Sequence, residues 1–330
     1  MNQHQPMISK FVIEASEAES MAQSLNLPSV LHLLPHLVRS AQSLARPPIS
    51  NFHVAAVGLG SDGRVFIGVN LEFPGVPLHH SVHAEQFLLT NLALHRCPCL
   101  LALAVSAAPC AHCRQFFQEL RHSSTLQILI TDQVKTQNFE TKPPNFNPLS
   151  KILPNPFGPY DLLDQETPLL LEQHNNRLDL VPQTDELINE ISRNFCNGND
   201  NFGKLSNGNC RNYEKNETLL REEALEAANN SHAPYSGCPS GVALMDCEGK
   251  VYGGSYVESA AYNPSLGPLQ AALVAYVARG GGDYERIVSA VLVEKEVAKV
   301  KQEDTVRLLL KAVSPKCEFR VFHCQSPGLY

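Results

Sequence analysis

The sequence has no tryptophan and no stretch of eighteen or more apolar residues. The second absence excludes a membrane-spanning helix, which needs about 20 consecutive, mostly apolar residues. No run of lysine or arginine occurs, and the formal net charge is -7. A protein that grips nucleic acid through its phosphates usually shows a basic patch, so neither nucleic acid nor a membrane is expected as a partner. The opening "MNQHQPMISKFVIEASEAES" lacks a charged region followed by an apolar core. No secretory leader is therefore expected, and the expected location is cytoplasmic, in the cytosol. What remains is ordinary: 330 residues, 43 % hydrophobic and 18 % charged, a length that allows two domains. The ten cysteines read as reduced thiols, most of them simply buried; a closely spaced pair suggests metal instead.

Residues 9–45 read as helical, with apolar spacing at Leu25, Leu31, Leu34 and Leu37 and a stop at "ARPP". "FHVAAVGLGSDGRVFIGVN" is a hairpin pattern around Ser61-Asp62-Gly63. A helix pattern, "SVHAEQFLLTNLAL", follows with Ser81 as expected N-cap. Then come a buried strand ("LLALAVSAA"), a helix ("CAHCRQFFQELR") and a strand ("LQILITD"). The same order returns in "GVALMDCEGKVYGGSYV", "LGPLQAALVAYVA", "IVSAVLVEK", "EDTVRLLLKAV" and "EFRVFHC". Local matches between the copies keep an offset of 184 to 186 residues, which points to a duplicated domain. The expected divisions are a helical segment 1–45, a first domain 46–145, a bridge 146–193, a linker 194–216 and a second domain 217–330. Eight asparagines and few apolar groups make the linker read as flexible surface chain.

The chemistry concentrates in "SVHAEQF" and "PCAHCRQF". Cys110 and Cys113 share one face of a helix that starts after Pro109. Thiolates there gain from the helix dipole. With His83 they make three protein ligands, the number a catalytic zinc takes when it keeps its fourth position for water. Two thiolates and a dication sum to zero charge, which favours acidifying that water. Residues at i and i+2 do not face each other on a helix. His83 and Glu85 can therefore serve one site only where the helix begins, with Glu85 reaching the water as a proton shuttle. A histidine and a glutamate so spaced, followed by P-C-x-x-C, is the signature of zinc nucleobase deaminases. The competing reading is a closed structural zinc site with His112 as fourth ligand, which leaves Glu85 without a purpose.

These motifs, with "ISNFHV", "GVNLEFPG", "ILPNPFGPYDLL", "HAPYSGCPSGVAL" and "SAAYNPSLGPLQAAL", resemble the two-domain, homodimeric cytidine deaminases of enteric bacteria and plants. The resemblance covers nearly the whole chain except the asparagine-rich linker. It implies an α/β fold of three layers, α-β-α, duplicated, with the second copy lacking the zinc site. It implies one zinc per chain on His83, Cys110 and Cys113, and Glu85 as the catalytic proton shuttle. Asn70 and Glu72 would hold the ribose 3′-hydroxyl, Phe52 would stack on the base, and Phe157 would wall the pocket. The implied reaction is hydrolytic deamination of cytidine and deoxycytidine to uridine and deoxyuridine, releasing ammonia, in pyrimidine salvage. In the second copy His83 maps to Gly267, Glu85 to Leu269, Asn70 to Tyr256 and Phe52 to Cys238. That copy is expected to complete a neighbour's active site in a C2 homodimer through residues near Ala260 and Tyr262. Two other readings stay open at this point: a polynucleotide deaminase, and a catalytically inactive homologue that binds nucleosides in a regulatory role.

Overall fold

The computed structural model describes residues 8–131, 144–181 and 207–326. Two mixed sheets organise it. The first contains β1 (Val12–Ile13), β2 (Ala55–Gly60), β3 (Val65–Val69), β4 (Leu100–Val105), β5 (Gln127–Ile130) and β6 (Asn147–Pro148), in the order β1-β3-β2-β4-β5-β6. The second contains β7 (Asp179–Leu180), β8 (Ser240–Asp246), β9 (Val251–Ser255), β10 (Ile287–Lys295) and β11 (Glu318–Gln325), in the order β7-β11-β10-β8-β9. The repeat is exact in its hydrogen bonding. Strands β2/β3, β2/β4, β8/β9 and β8/β10 pair antiparallel, while β4/β5 and β10/β11 pair parallel.

The helices are α1 (Ala15–Ser24), α2 (Val30–Ala41), α3 (Ala84–Leu94), α4 (Ala111–Phe116), α5 (Leu149–Ile152), α6 (Asn207–Asn229), α7 (Pro268–Ala278) and α8 (Glu303–Val313). In α8 the buried residues Val306, Leu309, Leu310 and Val313 form one stripe at helical spacing, each worth roughly 1.5–3 kcal/mol of burial. The second domain shows its three layers through two glycines. A Cβ at Gly241 would strike the α6 backbone, and one at Gly254 would strike α7. Gly254 pairs across with Val242, the neighbour of Gly241. Successive residues on a strand point to opposite faces, so α6 and α7 cover opposite sides of the sheet.

Helix α3 is buried from Ala84 to Leu92, and α7 from Pro268 to Val277. Helix α7, apolar but for Gln270, must be covered on all sides, and α3 buries four polar side chains as well. Each lies on its own sheet, and the two pack against each other at the domain junction. Close seating needs glycine. A Cβ at Gly68 would sit 2.1 Å from the Ala84 carbonyl oxygen, and at Gly254 it would sit 2.0 Å from the Ala272 nitrogen.

Three expectations change. Val12–Ile13 forms a strand on β3 instead of belonging to the helical segment, because Phe66 and Val65 offer a free sheet edge. The α3 N-cap is His83, not Ser81, which ends a short 3-10 turn at Leu78–His80. Residues 207–216 of the expected linker are helical, forming the start of α6; residues 194–206 lie outside the described residues.

Candidate metal centre

Two helix starts meet here. His83 is the N-cap of α3 and Cys110 the N-cap of α4, both extended in φ and ψ. Glu85 is then the second helical residue of α3 and Cys113 the third of α4. All four side chains project from helix ends, which resolves the i, i+2 spacing of His83 and Glu85. The His83 Nδ1 atom lies 3.5 Å from Cys110 Sγ and 3.3 Å from Cys113 Sγ, and the two sulfurs are 3.7 Å apart. Tetrahedral zinc with Zn–S of about 2.3 Å and Zn–N of about 2.0–2.1 Å sets donors about 3.8 Å apart for S and S and about 3.5 Å for S and N. The donor set therefore fits a zinc ion before any rearrangement. Among the described residues these three are the one group of three or more candidate ligands found close enough together.

The electrostatics show how tightly the donors interact. The sulfur–sulfur hydrogen bond with Cys113 draws Cys110 down to about 3; burial opposes it, and the bond with His83 adds to the lowering. The same sulfur–sulfur bond, with burial, pushes Cys113 well up. His83 is raised by its bond to Cys110 against its own desolvation. Three groups competing for so few protons would release them to a dication. Glu85 is only 4 % exposed. Burial raises its carboxyl above the usual carboxylate range, and its Oε2 accepts from Cys113 Sγ at 3.4 Å. A carboxyl that is dry, beside the metal ligands and raised above its ordinary range is suited to taking up and releasing a proton.

His112 is not gathered with the other ligands. Its Nε2 donates to the Asn263 carbonyl at 2.6 Å, which disposes of the closed four-ligand site.

The other expected site residues of the first domain are either engaged with nearby backbone or exposed. Asn70 is engaged with the backbone: Val54 N–H donates to its Oδ1 and its Nδ2 donates to Phe52 O, both at 2.9 Å. It fixes the strand entry that presents Phe52, which is 57 % exposed. Glu72 accepts from Ile49 N–H and Ser50 N–H on Oε2 and from the Ser50 hydroxyl on Oε1. Burial works against its charge, but the Ser50 and Ile49 donors prevail and hold its carboxyl below the usual range. A carboxylate offers about four acceptor positions, so one on Oε1 stays open. Phe157 is 47 % exposed, and its carbonyl accepts from Gln115 Nε2.

Ala260 and Tyr262 belong to the second domain. Ala260 is buried inside its own chain, its N–H on Glu119 Oε1 at 2.7 Å. Tyr262 is 67 % exposed and sits in the left-handed region at φ 61°.

The second copy preserves the frame without the chemistry. Gly267 caps α7 where His83 caps α3, and Leu269 stands at the Glu85 position. Yet Glu258 repeats the Glu72 arrangement: Tyr235 N–H and Ser236 N–H donate to Oε2, and the Ser236 hydroxyl to Oε1. Even the serine-to-backbone bonds match, Phe52 N–H to Ser50 Oγ and Cys238 N–H to Ser236 Oγ, both 3.0 Å. A carboxylate kept where nothing reacts holds its turn together, and in the first copy it does so in addition to any contact with a ligand. A cavity of about 540 Å³ lies on this second side, with Tyr256 and Gly267 in its wall together with His79, His80 and His112. It is not the metal centre, whose ligands do not line it.

Sequence reading missed Glu119. Its partners are 113, 116 and 141 residues away, so no local pattern announces it.

Two sequence-family models, both described as cytidine and deoxycytidylate deaminase zinc-binding region, match residues 29–128 and 149–307. The chain is 56 % identical to "Cytidine deaminase 1" of Arabidopsis thaliana, over 95 % of this chain and 97 % of that relative. It is 46 % identical to "Cytidine deaminase 6" of the same plant, over 96 % and 98 %. A crystal structure of cytidine deaminase from Mycobacterium tuberculosis is 30 % identical over 39 % of this chain and 97 % of that chain, with a TM-score of 0.32. The two-copy architecture, the zinc-compatible donors and full-length relatives at this identity agree: the chain belongs to the cytidine and deoxycytidylate deaminase family.

Proposed function

We propose that this protein is a zinc-dependent cytidine deaminase (EC 3.5.4.5), hydrolysing cytidine and 2′-deoxycytidine to uridine and 2′-deoxyuridine with release of ammonia. The observation that carries the reading is a buried glutamate beside three donors at zinc spacing, all on two helix N-termini. His83, Cys110 and Cys113 would hold one zinc per chain. When bound, zinc supplies a nucleophile at neutral pH by acidifying a water. Glu85 takes a proton from the attacking water and passes it to ring nitrogen 3 of cytosine. It then takes the proton of the hydroxyl now bonded to carbon 4 and delivers it to the amino group, which leaves as ammonia while the carbon 4 carbonyl forms. Burial of Glu85 raises its carboxyl above the usual carboxylate range, which favours its holding the proton between the two transfers. Glu72 receives the ribose 3′-hydroxyl on its open Oε1 position, while Asn70 holds the backbone that carries Phe52. The exposed Phe52 ring stacks on the base and Phe157 walls the pocket.

The role extends to pyrimidine salvage in the cytosol, by a homodimer. The exposed apolar side chains Ile49, Phe52 and Phe157 support a second chain covering them, and the exposed Tyr262 supports the loop's contribution to a neighbour. No helix among the described residues is long and apolar enough to cross a membrane.

The test is loss of cytidine absorbance in the ultraviolet, with zinc quantified on the same sample. Turnover with one zinc per chain supports the proposal. A zinc-replete chain that binds cytidine without turnover defeats it.

A further inference from the structure

Among the described residues the second domain gathers no set of metal ligands, yet one of its loops reaches both halves of the first domain's metal centre. The loop runs from Ser259 to Leu266, between β9 and α7. It is internally braced: Ser259 N–H donates to Ser265 Oγ, Tyr262 N–H to Ser259 O, and Ser265 N–H to Tyr262 O. Tyr262 adopts a left-handed φ of 61°, a conformation that a non-glycine residue holds only when its surroundings impose it.

Two contacts lead outward. The Asn263 carbonyl accepts from His112 Nε2 at 2.6 Å, and His112 lies between Cys110 and Cys113. The Pro264 carbonyl accepts from Gln86 Nε2 at 3.0 Å, while Gln86 Oε1 accepts from the backbone N–H of His83 at 3.2 Å. One rigid turn thus ties the α3 start to the α4 start, and those two starts carry every candidate ligand. Both loop acceptors are backbone carbonyls, so control rests on whatever fixes the loop.

Glu119 fixes it. It is fully buried, at 0 % exposure, just beyond α4. Its Oε1 accepts from Ala260 N–H at 2.7 Å, and its Oε2 accepts from Tyr235 OH at 2.7 Å and His232 Nε2 at 3.0 Å. All three donors belong to the second domain. A buried carboxylate is tolerated only with its acceptors filled, so this one commits the second domain to a single seat.

We propose that Glu119 is a positioning residue. Through the Ser259–Leu266 loop it holds His83 and the Cys110–Cys113 helix at metal-binding distance, and this clamp is what the ligand-free second copy contributes within its own chain. The inference rests on the zinc reading of the site but not on turnover.

The measurement is the rate at which the full-length zinc-loaded protein loses zinc to a chromophoric chelator. Glu119→Gln keeps the shape but turns an acceptor oxygen into an NH2 facing donors. Loss of a group that orients a metal ligand typically weakens metal binding 10- to 100-fold, so zinc release should quicken by about that factor. Leu33→Ala, in the buried face of α2, supplies a control of comparably lowered melting temperature whose zinc release should stay at the wild-type rate. Glu119→Asp, which retains the charge, should recover part of the loss. Should Glu119→Gln fail to fold, Gln86→Ala cuts the Pro264–His83 link directly and should also quicken release. Wild-type release rates in the folded Glu119→Gln or Gln86→Ala chains overturn the proposal, as does equal quickening in Leu33→Ala. A wild-type chain that binds no zinc overturns the metal reading and this inference together; a chain that binds zinc but does not turn over cytidine leaves only the functional reading in error.

Discussion

The glycine at position 68 provides a sharp test, because its twin sits in the copy without chemistry. A methyl group at Gly68 would lie 2.1 Å from Ala84 O and 2.5 Å from Leu88 N. Ordinary heavy-atom contact needs about 3.5 Å, so α3 must retreat by roughly 1.4 Å. Such overpacking costs about 1–3 kcal/mol. The displaced turn is the one bearing His83 and Glu85, and misplacement by about 1 Å can cost 10²-fold in rate. At Gly254 the same methyl would lie 2.0 Å from Ala272 N and 2.5 Å from Pro268 O. The packing penalty is alike, but the turn it moves carries Gly267 and Leu269, which do nothing chemical. Gly68→Ala and Gly254→Ala should therefore lower the melting temperature by similar amounts. Gly68→Ala should drop kcat for cytidine about 100-fold, whereas Gly254→Ala, which reaches the metal centre only through the Ser259–Leu266 loop, should drop it distinctly less. The assay is thermal unfolding followed by circular dichroism, with kcat taken well below the transition. Near-normal kcat in Gly68→Ala refutes the claim that the α3 start positions the chemistry. Equal kcat losses in both refute the division of labour between the copies.

Glu85→Ala should retain zinc and fold but lose about 10²–10⁴ in rate; more than a tenth of wild-type activity would remove Glu85 from the mechanism. Metal analysis should find one zinc per chain, and none in Cys110→Ala, because the second copy offers no ligands; two tightly held ions per chain contradict this. Free cytidine should react while an oligonucleotide cytosine should not, since the ionised Glu72 accepts a hydroxyl but repels a phosphate. Comparable turnover of both by the purified chain would defeat that assignment of Glu72.

Much of the fold was legible because its signals are local. The hairpin at Ser61-Asp62-Gly63, the helical spacing after His83 and the constant offset between copies all lie within a few residues or one repeat. The ligand set was legible because zinc chemistry restricts residue type and spacing together. What escaped was set by tertiary partners. Val12–Ile13 is too short to signal a strand and becomes one only because β3 has an open edge. Ser81 is the better capping residue by propensity, but the 3-10 turn at Leu78–His80 carries the chain past it, so the helix begins at His83. The retention of Glu258 in the Glu72 role shows only when its backbone donors are seen. Glu119 has no local signal, because its carboxylate is enclosed by groups from more than a hundred positions away.

The shared seat at the domain junction bears on any attempt to shorten this protein. A chain cut down to the first sheet and its helices would keep every zinc ligand and Glu85, and on paper would be a complete minimal enzyme. It would also bring Glu119 from a dry pocket to open solvent, strip the cover that α7 gives α3, and leave Gln86 Nε2 and His112 Nε2 with water for partners. The smallest working unit is therefore set by the path of the Ser259–Leu266 loop and not by the extent of the zinc motif. Miniaturisation would have to graft that turn, or a designed equivalent, onto the truncated domain.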